Sequence, residues 1–142
     1  MYHSITIGDK NTWNDWHLIP TSRPFVTLPP INEKQVSVPG RNGVIDLTEY
    51  LTGNPTYGNR KGAWEFYVMH DLWSSWDKAY STITKYCHGK YRNIVLEDEP
   101  GFEYEGKLKV SWRTQKDYSI IIIEYDLDPF KMNSETGDYV IA

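Results

Sequence analysis

Apolar and polar residues alternate in several short stretches of the chain, and this period of two predicts a protein built mainly of β-strands. The predicted strands are Tyr2–Ile7, Gln35–Val38, Val44–Leu47, a strand from Ala63 with Trp64, Phe66 and Val68 on its apolar face, Tyr91–Glu97, Phe102–Arg113 and Tyr118–Leu127. Pro39-Gly40 and Asn42-Gly43 lie between the second and third strands and predict a tight hairpin turn there.

One stretch has the period of an amphipathic helix instead, from about Leu72 to His88. Asp71 is the predicted N-cap, and Gly89 lies just beyond the end, where glycine is favoured. At 100° per residue the apolar side chains fall within an arc of about 140°. This arc must pack against a sheet or a partner. Its members include four residues that we expect to be buried, namely Trp76, Ala79, Ile83 and Cys87.

The last predicted strand is apolar on both faces, because four isoleucines follow one another at Ile120–Ile123. One helix cannot cover both faces of a sheet, so the pattern predicts additional cover from a second sheet or from a neighbouring subunit. Gly106 interrupts the preceding strand and predicts a bend or bulge. Beyond Pro129 the chain is polar, and residues 133–138 are predicted to form a loose tail.

Three turn-rich segments separate these elements. Trp13–Pro30 contains four prolines and is predicted to be extended loop with short edge strands. Gly53–Gly62 has no apolar period and is predicted to be an exposed loop. The acidic run Glu97–Glu99 precedes Pro100-Gly101 and is predicted to be a solvated turn.

Length and charge narrow the possible classes of protein. The chain has 142 residues, which fits one domain. Its formal net charge of -4 opposes sequence-specific binding of nucleic acid, which needs a basic surface. No apolar stretch approaches the ~20 residues of a membrane helix, and the first residues do not have the pattern of a signal peptide. Cys87 is the single cysteine, so no intramolecular disulfide is possible.

No motif in the sequence points to an enzyme. The four histidines are scattered and lack metal-ligand spacing, and no nucleophile elbow, phosphate loop or dinucleotide fingerprint occurs. Glu97 with Glu99, or Asp126 with Asp128, could form a hydrolytic acid pair, but such pairs arise easily by chance. We therefore expect no catalytic residue, no metal site and no cofactor.

The aromatic residues are the feature most open to a functional interpretation. Trp64, Trp76 and Trp112 follow the strand or helix periods and are expected in the core. Trp13, Trp16 and Tyr57 lie in predicted loops, where aromatic side chains bind sugars or form protein interfaces. These aromatic residues fit both a sugar-binding module and a subunit interface.

Five stretches of the sequence resemble, in the same order, motifs of the distal tail proteins (siphovirus tail components) of phages and prophages of Gram-positive bacteria. These stretches are Asn11–Pro24, Val38–Gly53, Tyr57–Phe66, Tyr104–Leu108 and Tyr125–Lys131. The resemblance implies that residues 1–131 form the hub domain of that family, a mainly β fold of the β-sandwich or split-barrel type with one amphipathic helix. Residues 132–142 would be a polar C-terminal tail.

The same resemblance implies a structural role at the virion tail tip, for a protein made in the cytoplasm of the bacterial host. Six copies would form a ring that joins the tail tube protein to a tail-tip lysin or adhesin, with receptor-binding proteins as further partners. Trp13, Trp16, Tyr57 and Arg60 are the candidate interface residues, and Trp16→Glu is expected to weaken the ring while sparing the fold. The alternative is a monomeric sugar-binding β-sandwich module.

Overall fold

A computed structural model describes residues 3–33, 35–46, 56–68, 76–114 and 118–141, with the backbone alone at 45, 46, 76, 77 and 114. Its elements are β1 (Ile5–Ile7), β2 (Lys10–Asn11), β3 (Leu18–Pro20), β4 (Gln35–Ser37), β5 (Val44–Asp46), β6 (Arg60–Val68), α1 (Trp76–Cys87), β7 (Tyr91–Leu96), β8 (Phe102–Thr114), β9 (Ser119–Leu127), β10 (Lys131–Asn133) and β11 (Tyr139–Val140).

The described strands form one large antiparallel sheet and one separate hairpin. The large sheet has the order β2-β1-β7-β8-β9-β6-β3, with β10 and β11 added beside β8. It curls into a half-barrel, and α1 is the helix of the described chain. The expectation of a mainly β fold with one amphipathic helix is confirmed, and the single curled sheet corresponds to its split-barrel form.

The core lies on one face of the curled sheet, because the predicted alternation places large apolar side chains there in register. Trp64 on β6 is opposite Ile123 on β9, which is opposite Val110 on β8. On the other side of β8, Ile94 is paired with Tyr104. All of these side chains are buried in one cluster, together with Ile5, Ile7, Leu18, Phe66, Val68, Leu96, Leu108, Ile121, Tyr125 and Leu127.

Helix α1 covers part of this core face. Ala79, Ile83 and Cys87 are fully buried, as the apolar arc predicts. The helix ends at Cys87, and Gly89 follows in the left-handed region with φ of 73°, which confirms the predicted end. The predicted first turns at 71–75 lie outside the described residues, as does the side chain of Trp76.

Strand β9 is apolar on both faces, as predicted, but a single chain already covers them. Ile121 and Ile123 lie in the core, on the face of the curled sheet that α1 partly covers. Ile120 points to the opposite face and is 3% exposed, while Ile122 is half-buried. The isoleucine run therefore does not require cover from a neighbouring subunit, which is one of its two predicted sources of cover.

Two hairpins differ from their predicted form. Ser37 pairs with Val44, so β4 and β5 are joined by six residues rather than by a tight Asn-Gly turn. The predicted loose tail is also wrong, because β10 and β11 pair with each other around 134–138 and Met132 pairs with Glu103 of β8. Asn133 closes this turn, accepting hydrogen bonds through its side chain from Glu135 and Thr136.

Candidate interaction surface

Trp16 is part of the core, so its predicted exposure is wrong. A turn after β2 folds back on itself, with the amide of His17 bound to the carbonyl of Trp13 at 3.0 Å. This turn places the Trp16 ring edge-on to Tyr86 of α1, with the ring centroids 5.7 Å apart, and leaves it 3% exposed. A charge at Trp16 would therefore damage the fold rather than an interface alone. Trp13 is half-buried and meets the ring of His17 edge-on.

Arg60 is buried as well, which overturns its predicted place in an exposed loop. It begins β6 and has the same parity as Trp64 and Phe66, so its side chain enters the core face at 2% exposure. Its Nε donates to the carbonyl of Pro129 at 3.1 Å and its Nη1 to that of Thr27 at 3.1 Å. Its Nη2 donates to the carbonyl of Ile141. One guanidinium thus joins three segments that are distant in sequence.

The surroundings of Arg60 keep it charged despite its burial. Desolvation lowers the pKa of the guanidinium, whereas Tyr104, Glu99 and Tyr125 oppose that change. The guanidinium carbon lies 5.3 Å from the centre of the Tyr104 ring. The Tyr104 hydroxyl donates to Glu99 at 2.7 Å, and the buried Lys131 ammonium pairs with the same carboxylate. Glu99 is therefore the ion-pair partner of Lys131, and its negative charge also favours the charged form of Arg60.

The acidic run at 97–99 lies in a turn, as predicted, but its side chains are half-buried and hold several elements together. Glu97 accepts hydrogen bonds from the amide and hydroxyl of Ser4, at 3.0 and 2.7 Å. Asp98 binds the imidazole of His3 at 2.8 Å and Nε of Arg23 at 3.0 Å. Each carboxylate is committed to a structural partner, which leaves no free acid pair in this turn.

The proline-rich segment 21–30 is fixed against the sheet by its backbone. Trp64 Nε1 donates to the carbonyl of Phe25 at 3.0 Å. The amide of Thr27 donates to the Tyr125 hydroxyl at 3.1 Å, and the Thr27 hydroxyl donates to the carbonyl of Lys61 at 3.1 Å. The Tyr125 hydroxyl can reach Thr27 because the residue beneath it is Gly62, where any Cβ would collide with it. The segment is an anchored loop.

The anchored loop and the hairpin after it display large apolar side chains to solvent. Phe25 is 67% exposed and Leu28 is 69% exposed. We call the exposed side chains along this part of the chain the apolar strip, and its members are Phe25, Leu28, Ile31, Val36, Val38 and Val44. Single exposed apolar residues are ordinary, but six of them within 20 residues of chain make this part of the molecule the candidate interaction surface. The strip is defined along the chain and not as one face, because Val36 and Val44 lie on opposite faces of the hairpin.

Strands β4 and β5 pair only with each other among the described strands. Every side chain described from Gln35 to Val44 is exposed. A two-stranded hairpin in water is marginally stable on its own, so such a hairpin gains from packing against another surface. Tyr57, the remaining candidate, is half-buried and pairs with Ile31 of the apolar strip through an isolated bridge. It is the candidate that the structure places beside this surface.

The described residues were also compared with the requirements of a metal site and of a membrane span. No group of three His, Cys, Asp or Glu side chains in that part of the chain is arranged to hold a metal ion. No helix among the described elements is long and apolar enough to cross a membrane. Burial raises the pKa of the Cys87 thiol to about 12, so this group is protonated at neutral pH.

A half-barrel of antiparallel strands that carries one helix is the class of fold that this geometry defines. It matches the crystal structure of SPP1 Dit, described as a paradigm of the hub adsorption apparatus in phages that infect Gram-positive bacteria, with a TM-score of 0.73 and 12% sequence identity. The match covers 94% of this chain and 53% of that protein, so the chain spans about half of its length. The likeness shows the fold.

Comparisons of the sequence alone identify no relative. No model of a known protein family matches the chain, and no curated protein matches it. The agreement with SPP1 Dit is therefore an agreement in fold, at 12% sequence identity.

Proposed function

We propose that this protein is a structural component of a phage or prophage tail tip, and that copies of it form a six-membered ring joining the tail tube to the tail-tip assembly. The fold it shares with SPP1 Dit, a hub protein, supports the tail-tip role. The resemblance of five stretches of the sequence, in order, to motifs of the distal tail proteins supports the same role. In this role the protein has no catalytic residue and no cofactor.

The main support for the ring is the apolar strip. It lies on an anchored loop and on a hairpin that pairs with no other described strand. A closed ring uses heterologous contacts, in which one patch of each subunit meets a different patch of its neighbour. The loop is held by the hydrogen bonds of Phe25 and Thr27, so little backbone freedom is lost when it binds. Burial of Leu28 would contribute about 1.5–3 kcal/mol per interface.

The further partners of this role are the tail tube protein, a tail-tip lysin or adhesin and receptor-binding proteins. Their attachment sites would lie on surfaces that ring closure leaves open. The negative formal charge of -4 suits a ring around a DNA passage, because phosphate neutralisation would hold the DNA.

Native mass spectrometry and light scattering after size exclusion test the ring. We expect a mass six times that of the 16.6 kDa chain. Leu28→Glu should shift the protein to smaller species while leaving its circular dichroism and unfolding midpoint close to those of the monomeric fold. Thr82→Glu is the matched control, because it adds the same charge at an exposed position of α1 and should leave the ring intact.

Three results would contradict the proposal. A wild-type monomer at the highest soluble concentration, together with binding to cell-wall polysaccharide, would favour the sugar-binding alternative. A closed dimer with the apolar strip accessible to solvent would exclude the ring as proposed. Release of soluble fragments from purified peptidoglycan would oppose the non-enzymatic role.

A further inference from the structure

A second surface of the molecule is a groove between the large sheet and the C-terminal hairpin. Its volume is about 570 Å³. Its lining combines apolar and aromatic side chains with carboxylates. The residues that matter for its chemistry are Phe130, Met132 and Tyr139 and the carboxylates of Glu103, Glu105 and Asp128, which we call the rim carboxylates. We call this feature the acidic groove, and it contains none of the apolar strip.

Backbone pairing fixes the walls of the acidic groove. Tyr139 is paired with Met132, and Met132 is paired with Glu103, so these three side chains follow one another across β11, β10 and β8. Glu105 is two residues further along β8 on the same face. Asp128 is held beside it, because its amide donates to the carbonyl of Glu105 at 2.8 Å. The groove is thus preformed.

The carboxylates of the groove have no ion-pair partner within the described chain. The side chains of Glu103 and Glu105 make no hydrogen bond or ion pair with any described residue, and no described residue of the lining is basic. Lys107, the next residue on this face of β8, forms no ion pair with either carboxylate. Asp128 accepts a hydrogen bond of 2.5 Å from the Tyr91 hydroxyl, which orients its carboxylate.

Two groove-lining aromatic residues are left open to solvent. Phe130 is 46% exposed and Tyr139 is 64% exposed, although both stand beside the three carboxylates. An aromatic face attracts a cation, and a carboxylate fixes the direction of its N–H groups. The surface is complementary to a flat cation on an apolar stem.

We propose that the acidic groove binds an arginine side chain presented by a segment of a partner protein. The guanidinium would donate to the rim carboxylates and stack on Tyr139 or Phe130, and its methylene stem would pack against Met132. Arginine is favoured over lysine because its planar fork can bind two carboxylates while its face remains on a ring. The groove has room for the flanking backbone as well as for one side chain.

The groove chemistry disfavours two other occupants. A metal ion lacks a ligand set, because no group of three acidic or imidazole side chains in the described chain is suitably arranged. A neutral sugar would leave the three carboxylates of the groove without a counter-charge, whereas a cation would supply one. The proposal goes beyond the ring, since the groove and the apolar strip share no residue.

The test is a titration of the deuterated full-length protein with acetyl-Gly-Arg-Gly-amide, followed by TROSY spectra. We expect amide shifts confined to residues 103–105, 128–132 and 139, with millimolar affinity that falls as salt rises. Glu103→Gln/Glu105→Gln should weaken binding at least about fivefold, because it removes two charge-assisted acceptors. Glu124→Gln is the matched control, since Glu124 lies on β9 outside the groove and pairs across strands with Lys109.

The peptide acetyl-Gly-citrulline-Gly-amide keeps the shape and removes the charge, and it should bind weakly or not at all. Equal shifts with citrulline, or shifts of the same amides with chitotriose but not with the arginine peptide, would overturn the proposal. Binding of the peptide to the Leu28→Glu protein but not to the wild type would also overturn the proposal, because a second copy of the chain would then occupy the groove of the wild type. Failure of the groove titration leaves the mass of the ring unaffected, so the two proposals fail separately.

Discussion

Replacing Arg60 by alanine should destabilise this protein more than almost any other single change of a charged residue. The guanidinium is 2% exposed and donates to three carbonyls, those of Thr27, Pro129 and Ile141. Its removal leaves these acceptors without their donor. It also removes a positive charge whose pKa Glu99 helps to raise, and it leaves a cavity at the start of β6.

The expected cost follows from opposing contributions. A hydrogen bond to a charged group contributes about 1.5–3 kcal/mol. Burial of the guanidinium costs several kcal/mol, which offsets part of the three bonds, and some carbonyls regain water in the variant. Removing one member of a buried ionic network costs about 3–5 kcal/mol overall, and we expect Arg60→Ala to fall in this range. In a domain of this size the melting temperature should fall by roughly 10 °C or more.

Urea unfolding at fixed protein concentration, followed by circular dichroism and by tryptophan fluorescence, measures this cost. Fixed concentration matters because association would add to the apparent stability. Lys61→Ala is the matched control, since Lys61 is the next residue, is exposed and points to the opposite face. It should change the free energy of unfolding by less than about 0.5 kcal/mol.

Arg60→Lys separates the geometry of the fork from the charge. An ammonium keeps the charge but cannot reach three carbonyls from three segments with the directions of a guanidinium. We expect it to recover less than half of the loss. A cost of under about 1 kcal/mol for Arg60→Ala, with an unchanged dependence on urea, would refute the role given to this side chain. Full recovery with lysine would refute the role of its shape.

Three further experiments test other parts of the fold. Gly106→Ala should cost about 2–3 kcal/mol, because the new methyl group would lie 2.6 Å from the Cα of Leu127, and an unchanged urea midpoint would contradict this. Cys87, whose pKa burial raises to about 12, should resist a thiol reagent at pH 8 until urea unfolds the protein, and rapid native labelling would contradict its burial. Hydrogen bonds from Ser4 lower the pKa of Glu97, so its contribution is present above pH 4.5 and is lost as pH falls through the folded-state value. Glu97→Gln should therefore flatten the fall in stability with acid, and an unchanged slope would contradict the assignment.

The sequence predicts the strands and the helix well where a period runs long enough to be recognised. Strand β9 is one residue shorter than its predicted range, and β7 matches to within one residue. The buried faces of β6 and α1 follow the predicted alternation and arc, because burial of one face selects apolar residues at a fixed spacing. Short segments such as the turn that holds Trp16 have no period, so its burial could not be read from spacing.

The burial of Arg60 does leave one signal in the sequence. Extending the alternation of Phe66 and Trp64 backwards through Gly62 places Arg60 on the core face of β6. The residue type and the glycine-rich surroundings favour a loop instead, and the partners that make burial tolerable are backbone carbonyls far along the chain. Such carbonyls leave no side-chain pattern. The same limit applies to Lys131, whose counter-ion Glu99 lies in a turn that resembles a solvated one.

The buried guanidinium of Arg60 connects the two proposed surfaces to one sheet. It binds the carbonyl of Thr27 in the loop that carries Phe25 and Leu28, and the carbonyl of Pro129, which lines the acidic groove. Loss of Arg60 should therefore loosen both surfaces at once. Leu28 belongs to the apolar strip and Glu105 to the acidic groove, which have no residue in common, so Leu28→Glu and Glu105→Gln should be additive in stability and independent in their effects on ring mass and peptide binding. A strong coupling between these two changes would place the apolar strip and the acidic groove in a single interface.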